Sequence, residues 1–171
     1  MLKALLQKPA DDSCLAECLT LDEALIAEEP IRIGLYIWKT RRLDLAEAFQ
    51  AAGIDDVVHI WNVEAESSSD FYVSKAACVS PWSAKAGSKN RVENVPLGDF
   101  PHFGLAQAHR TALGYVKSTG SPIYQRISLN YDGFFCSYFR LLCPICKPSG
   151  EVAEAFSVTV NEHSRIILRT V

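Results

Sequence analysis

Three strand-like runs, separated by two turn sequences, occupy the C-terminal half of this 171-residue chain and limit its fold more than any other feature. The runs cover residues 122–129, 134–142 and 151–160 and are rich in β-branched and aromatic residues. Asn130-Tyr-Asp-Gly133 and Lys147-Pro-Ser-Gly150 lie between them, and both are sequences that form tight turns. The pattern predicts a three-stranded antiparallel meander.

Two further patterns complete a domain around this meander. Two β-rich runs flank the turn-like Glu66-Ser-Ser-Ser-Asp70 and predict a hairpin over residues 56–75. Residues 103–117 predict a helix, because their apolar side chains recur on one stripe that also carries His109. These elements predict an α+β fold, with a five-stranded antiparallel sheet and helices on one face.

The first third of the chain predicts helices. Thr20-Leu-Asp-Glu23 is a capping box, so we expect a helix around residues 20–29 that ends at Pro30. Residues 31–38 alternate like a strand, but a helix is also compatible with them. Residues 45–52 favour a helix that stops at Gly53. We divide the chain into an N-terminal helical extension, residues 1–30, and a domain, residues 31–171.

Composition excludes several classes of protein. Hydrophobic residues make up 49% of the chain, which is enough for a packed core. Seventeen basic residues are scattered among twenty acidic ones, with a net charge of −3, so no basic stripe for nucleic acid is present. The sequence lacks a long apolar run and a signal peptide, and its six cysteines suit a reducing compartment. We expect a cytoplasmic protein that contacts neither nucleic acid nor a membrane.

The second half of the chain also carries an ordered set of turn and core motifs. They read Gly120-Ser-Pro-Ile-Tyr124, Asp132-Gly133, Tyr138-Phe-Arg-Leu-Leu-Cys-Pro144 and Gly150. This order resembles that of a PAS-like family of small bacterial proteins, whose five-stranded sheet cups a ligand under helices. The resemblance covers residues 103 to 160, is looser from 56 to 76, and leaves residues 1 to 30 unmatched. It implies a sensory or regulatory module in signal transduction, and not an enzyme.

The resemblance implies a ligand-binding cup between the sheet and the helix at residues 103–117. We expect His109, Tyr124 and Phe139 to line one cavity there. Alternation along residues 134–142 lets only one set of side chains face the helices, and the odd set, which includes Phe135 and Phe139, is the more apolar. Such a module would bind a small ligand or a protein partner and signal through protein contacts.

Two arginines on neighbouring predicted strands add polar candidates. Arg140 and Arg126 could meet across the strand pair. An arginine that faces the cup would bind a carboxylate ligand through two parallel hydrogen bonds, whereas one that faces outward would be solvated. We include Arg140 among the expected ligand-binding residues.

The resemblance also raises the question of a haem cofactor. Haem-containing PAS sensors hold iron through a histidine on the helix that corresponds to residues 103–117. His109 is the first candidate for this role and His102 the second. The other interpretations of His109 are a polar anchor for an organic ligand and an ordinary core histidine.

Cysteine spacing and the missing catalytic motifs define two alternative functions. Cys143-Pro-Ile-Cys146 has the spacing of a redox or zinc half-site, and Cys14 and Cys18 could complete a four-cysteine zinc site. A small α+β enzyme acting on an apolar substrate is the other alternative, although no nucleophile elbow, phosphate loop or metal-spaced histidine pair is present. We expect no catalytic residues.

The capped helix around residues 20–29 has an apolar side and no counterpart in the PAS-like pattern. An amphipathic helix must bury that side against something. We therefore expect this helix to support a homodimer, and a separate signalling partner protein to receive the output.

Overall fold

A computed structural model describes residues 12–40, 44–77, 93–100, 102–131 and 134–162. The strands in these ranges are β1 (Asp12–Leu19), β2 (Val58–Asn62), β3 (Tyr72–Lys75), β4 (Ile123–Tyr131), β5 (Phe134–Cys146) and β6 (Val152–Asn161). The α-helices are α1 (Leu21–Leu25), α2 (Glu29–Lys39), α3 (Leu45–Ala51) and α4 (Phe103–Thr119). None of the helices described here is long and apolar enough to cross a membrane.

The six strands form one antiparallel sheet in the order β1-β4-β5-β6-β2-β3. The predicted meander is present as β4, β5 and β6, and the predicted hairpin as β2 and β3. The α+β fold with an antiparallel sheet is therefore confirmed, with one strand more than the five predicted. That extra strand, β1, pairs with β4 over its whole length.

Helices cover both faces of this sheet, where the sequence predicted one. Helix α4 packs on one face, here called the α4 face, beside side chains such as Ile127 and Leu142. Helices α1, α2 and α3 pack on the opposite face, here called the α2 face, beside Phe139 and Leu141. The even residues of β5 therefore face α4, and the prediction that its odd set faces that helix is wrong. Phe135, from the odd set, is exposed.

The capping box of α1 forms as predicted: the Thr20 Oγ1 accepts from the Glu23 amide at 3.2 Å, and the Thr20 amide donates to the Glu23 carboxylate at 2.6 Å. The helix is shorter than expected and ends at Leu25. Pro30 lies in the first turn of α2 and does not end a helix, because proline lacks only an N–H that this turn leaves unused.

Helix α2 settles the conformation of residues 31–38. Ile31 and Leu35 are fully buried one turn apart, which is helical spacing. Gly34 lies between them and brings the helix so close to β6 that a Cβ atom there would lie 2.6 Å from the Val158 Cγ2 atom. Further along, Gly53 ends the α3 segment at a φ of +67°, as the sequence predicted.

The segment before residue 20 corrects the expectation of a purely helical extension. Residues 12–19 form β1, whose Cys14 and Ala16 side chains pack on the α4 face. A single edge strand cannot show this from its own sequence, because its stability comes from pairing with β4. The division of the chain at residue 30 stays a prediction. Residues 1–11, 41–43, 78–92, 101, 132–133, which carry the predicted Asp-Gly turn, and 163–171 lie outside the described residues.

Candidate functional site

A row of four polar side chains crosses the α4 face of the sheet. Cys18 on β1 is the direct cross-strand partner of Gln125 on β4. Gln125 is in turn opposite Arg140 on β5, and Arg140 is opposite Thr159 on β6. We call these four residues the polar row. Cys18 is exposed at the sheet edge, whereas the other three are buried. Three buried polar side chains therefore lie in line across β4, β5 and β6, in an interior where most side chains are apolar.

Arg140 is the centre of the polar row and is only 1% exposed. Its Nη2 donates to the Gln125 Oε1 at 2.6 Å, and its Nη1 is bonded to the Nδ1 of His109 on α4. Its Nε is buried without a hydrogen-bond partner among the described residues. Burial lowers the pKa of Arg140, but an arginine still holds its charge at neutral pH. The site is therefore a buried cation whose hydrogen-bond partners are neutral.

His109 covers Arg140 from the helix side. Burial, and then the charge of Arg140, lower the pKa of His109 well below its usual value, so the imidazole is neutral. Arginine can only donate, so Nδ1 accepts this hydrogen bond and the ring proton lies on Nε2. The ring also packs on Trp61 of β2, with 4.6 Å between the ring centroids. His109 is thus a fixed acceptor and not a titrating group at neutral pH.

The β2 strand extends this polar region. The Trp61 Nε1 donates to the Ser157 Oγ at 3.0 Å, and the centroid of the His59 ring lies 6.2 Å from that of the Trp61 ring. The His59 Nδ1 accepts from the Ala77 amide at 3.1 Å. Burial and then Arg140 lower the pKa of His59 to about 4. Two neutral histidines therefore lie close to one tryptophan next to the buried cation.

The structure divides the four predicted site residues between the two faces. His109 and Arg140 meet on the α4 face, as described. Tyr124 and Phe139 stack on each other at 5.9 Å on the α2 face, within the core under α2. The prediction that His109, Tyr124 and Phe139 line one cavity is wrong, because alternation places β5 residues 139 and 140 on opposite faces. A ligand-binding role for each of the four stays a prediction.

Arg126 does not meet Arg140. It lies on the α2 face, where its Nε and Nη2 form a two-pronged contact with the Glu162 carboxylate at 2.9 to 3.1 Å. Sequence reasoning missed Gln125, which is the actual cross-strand partner of Arg140. The Asp132-Gly133 turn was the available signal, since counting outward from it pairs residue 125 with residue 140.

The surroundings of His109 do not fit a haem iron. Its Nδ1 is bonded to Arg140, its Nε2 lies 3.5 Å from the same guanidinium, and one ring face is covered by Trp61. An iron cation at either nitrogen would displace the arginine contact or lie beside its charge. The second candidate, His102, caps α4 by accepting the Leu105 amide at 3.0 Å.

The cysteines proposed for a zinc or redox site are not brought together. Cys14 and Cys18 are on β1 and face α4, whereas Cys143 is buried on the α2 face and Cys146 is exposed at the end of β5. Burial raises the pKa of the Cys143 thiol well above its usual value, which disfavours the thiolate that a metal or a redox reaction needs. Within the described ranges, no three metal-ligating side chains form a group.

A surface depression of about 330 Å³ lies where β2, β5 and β6 end. Asn62, Glu64, Cys146 and Lys147 line part of it, and the Glu64 carboxylate pairs with the Lys147 ammonium. Glu154 adds a second carboxylate to the lining, so this depression, unlike the described surroundings of Arg140, carries acidic groups.

No protein-family model and no curated protein matches the sequence. Among solved structures, the chain is similar to the PAS domain of Bordetella pertussis BvgS, at 13% identity and a TM-score of 0.47 over 71% of this chain and 90% of that one. It is also similar to an RNA-binding light-oxygen-voltage receptor, at 16% identity and a TM-score of 0.48 over 88% of this chain and 38% of that one. A fungal LOV domain photoreceptor matches at 15% identity and a TM-score of 0.41, over 81% of this chain and 97% of that one. Each likeness concerns the fold alone.

Proposed function

We propose that this chain is a PAS-like sensory module that binds a small molecule at Arg140 on the α4 face and signals through protein contacts. The observation that carries the proposal is the burial of Arg140 among neutral partners. Binding sites for small molecules combine mostly apolar walls with a few convergent polar groups, and Gln125, His109 and Arg140 converge in this way.

Energetics favour a ligand-binding role for this arginine over a purely structural one. Removing a cation from water costs several kcal/mol even after the protein relaxes. Hydrogen bonds to a charged group return about 1.5–3 kcal/mol each, and Arg140 makes them to Gln125 and His109. A buried donor without a partner, as at Nε, costs a further ~1–3 kcal/mol. A ligand that accepts from Nε would remove that last cost.

The proposal does not extend to catalysis. A general base needs a lone pair that is available to the substrate. The neutral His109 has its acceptor nitrogen committed to Arg140, and burial raises the pKa of the nearby Tyr138 phenol. The chemistry of these groups is therefore that of recognition.

The output surface is proposed to include α1. Leu25 is 50% exposed and Ile26, the residue that follows the helix, is 85% exposed. Side chains of this kind next to each other on the surface suit association with a second copy of the chain or with a signalling partner protein. We propose a homodimer in the cytoplasm as the working form.

Native mass spectrometry of the purified chain, together with its absorption spectrum, tests the proposal. We expect a co-purified organic mass that is lost on denaturation, and no Soret band. His109→Ala should reduce this bound mass by more than the double change Cys143→Ser with Cys146→Ser.

Two results would contradict the proposal. Stoichiometric zinc that disappears in the double cysteine variant would favour the thiol alternative. A chain that binds no small molecule would instead favour a module that acts only by protein contacts.

A further inference from the structure

We infer that the ligand of this site is a small organic carboxylate with an apolar body, held by the unused N–H groups of Arg140. This inference rests on the proposed binding of a small molecule at the α4 face. It adds the chemical class of the ligand, which follows from three properties of the site: its spare donors, its charge and its walls.

The donors of Arg140 are only partly used. A guanidinium carries five N–H groups in a planar fork, and all of them are donors. His109 takes one from Nη1 and Gln125 takes one from Nη2, which leaves three N–H groups, including the buried Nε–H. A carboxylate accepts two parallel hydrogen bonds from such a fork, and this geometry is the strongest that arginine makes.

The charge of Arg140 lacks a counterion in the described part of the chain. The groups whose negative charge would stabilise it are the Tyr138 phenol and the thiols of Cys14 and Cys18, and none of them is a carboxylate. The contrast with Arg126 is direct, because Arg126 is partly exposed and still pairs with Glu162. A ligand with one negative charge would neutralise the buried cation.

The number of charges separates a carboxylate from a phosphate. A phosphate monoester carries a charge of about −1.5 to −2 at neutral pH. Among the described residues, Arg140 is the one cation that contacts Gln125 and His109, and both nearby histidines are neutral. A second negative charge would be buried without a partner, and such burial is costly. The site therefore favours a monocarboxylate.

The walls around Arg140 favour an apolar ligand body. Tyr138 and Leu142 flank Arg140 on the same face of β5, and Leu105 and Leu113 are fully buried on α4. The Trp61 ring packs on the His109 ring, with 4.6 Å between the ring centroids. These side chains are aliphatic or aromatic and provide few hydrogen-bonding groups, so a sugar or a nucleotide bound beside them would leave its own polar groups unpaired.

Calorimetric titration with matched acids and amides tests the inference. Benzoate and butyrate are compared with benzamide and butyramide, which keep the shape and lose the charge, and with inorganic phosphate. We expect an acid of the panel to bind the full chain at least ~10-fold more tightly than its amide. Phosphate should bind more weakly than that acid.

Arg140→Met should weaken binding of this acid by ~10-fold or more, and Arg126→Met is the matched control that should leave it unchanged. Arg140→Lys is the second variant, used if the methionine variant fails to fold. It keeps the positive charge but loses the planar fork, so binding of the acid should fall several-fold while the amides are unaffected.

The possible outcomes separate the two proposals. Amides that bind as tightly as the acids, with Arg140→Met weakening neither, would overturn the carboxylate class and leave small-molecule binding standing. Phosphate that binds more tightly than the acids would overturn it as well. A chain that binds none of these probes and carries no co-purified molecule would overturn both proposals.

Discussion

Mild acid should destabilise this protein through His59 and His109. Burial and the neighbouring Arg140 hold both imidazoles neutral in the folded state, with the pKa of His59 at about 4 and that of His109 well below its usual value. In the unfolded chain each histidine binds a proton with a pKa near ~6.5. The unfolded state therefore binds more protons below that pH, and the free energy of unfolding falls as the pH falls.

The magnitude follows from the number of protons. Between about pH 7.5 and about pH 5.5, each buried histidine removes ~1.4 kcal/mol from the free energy of unfolding, so the pair removes ~3 kcal/mol. For His59 the loss levels off near its folded pKa of about 4, where the folded ring also binds a proton. The carboxyls whose pKa is lowered in the folded state, such as that of Glu162, act only at lower pH because their ordinary pKa is 4.5.

Urea denaturation at the two pH values measures this loss. We expect ~3 kcal/mol for the wild type, about half of that for His59→Gln or His109→Gln, and little for the double variant. Each variant is compared with itself at the other pH, so the cost of the substitution cancels. Glu64→Gln is the control that keeps the full loss. Equal wild-type stability at both pH values, or a double variant that still loses ~3 kcal/mol, would refute the reasoning.

Two further predictions concern packing and assembly. Gly34→Ala should lower the free energy of unfolding by ~1–2 kcal/mol, because overpacking against Val158 exceeds the gain in helix propensity. Gly114→Ala should raise the free energy of unfolding by ~0.5–1 kcal/mol, because nothing lies within 4 Å of the added Cβ atom. Shifts of the same sign in urea denaturation would contradict this. Leu25→Glu combined with Ile26→Glu should convert the proposed dimer to a monomer in sedimentation equilibrium. A monomeric wild type, or a dimer that survives both changes, would rule out association through α1.

Local sequence patterns were sufficient for the elements that local physics controls. The turn sequence Asp132-Gly133 and the β-rich runs on either side predicted the meander, and the apolar stripe predicted α4 together with the inward direction of His109. The capping box at Thr20 formed as expected, because its hydrogen bonds join residues three apart. The position of Arg140 in β5 follows from the same turn sequence, whereas its role in ligand binding stays a prediction.

Long-range packing decided the rest. Whether Phe139 or Arg140 faces α4 depends on which helices cover which side of the sheet, and the sequence of β5 fits both arrangements. The layer that covers Phe139 is α2, whose residues 31–38 have a pattern compatible with either strand or helix until they meet β6. Strand β1 likewise exists through its pairing with β4. The two-residue period of a strand assigns its side chains to two faces, but only the tertiary contacts determine what each face buries. For this reason the four ligand-binding candidates separated into a core pair, Tyr124 with Phe139, and a polar pair, His109 with Arg140.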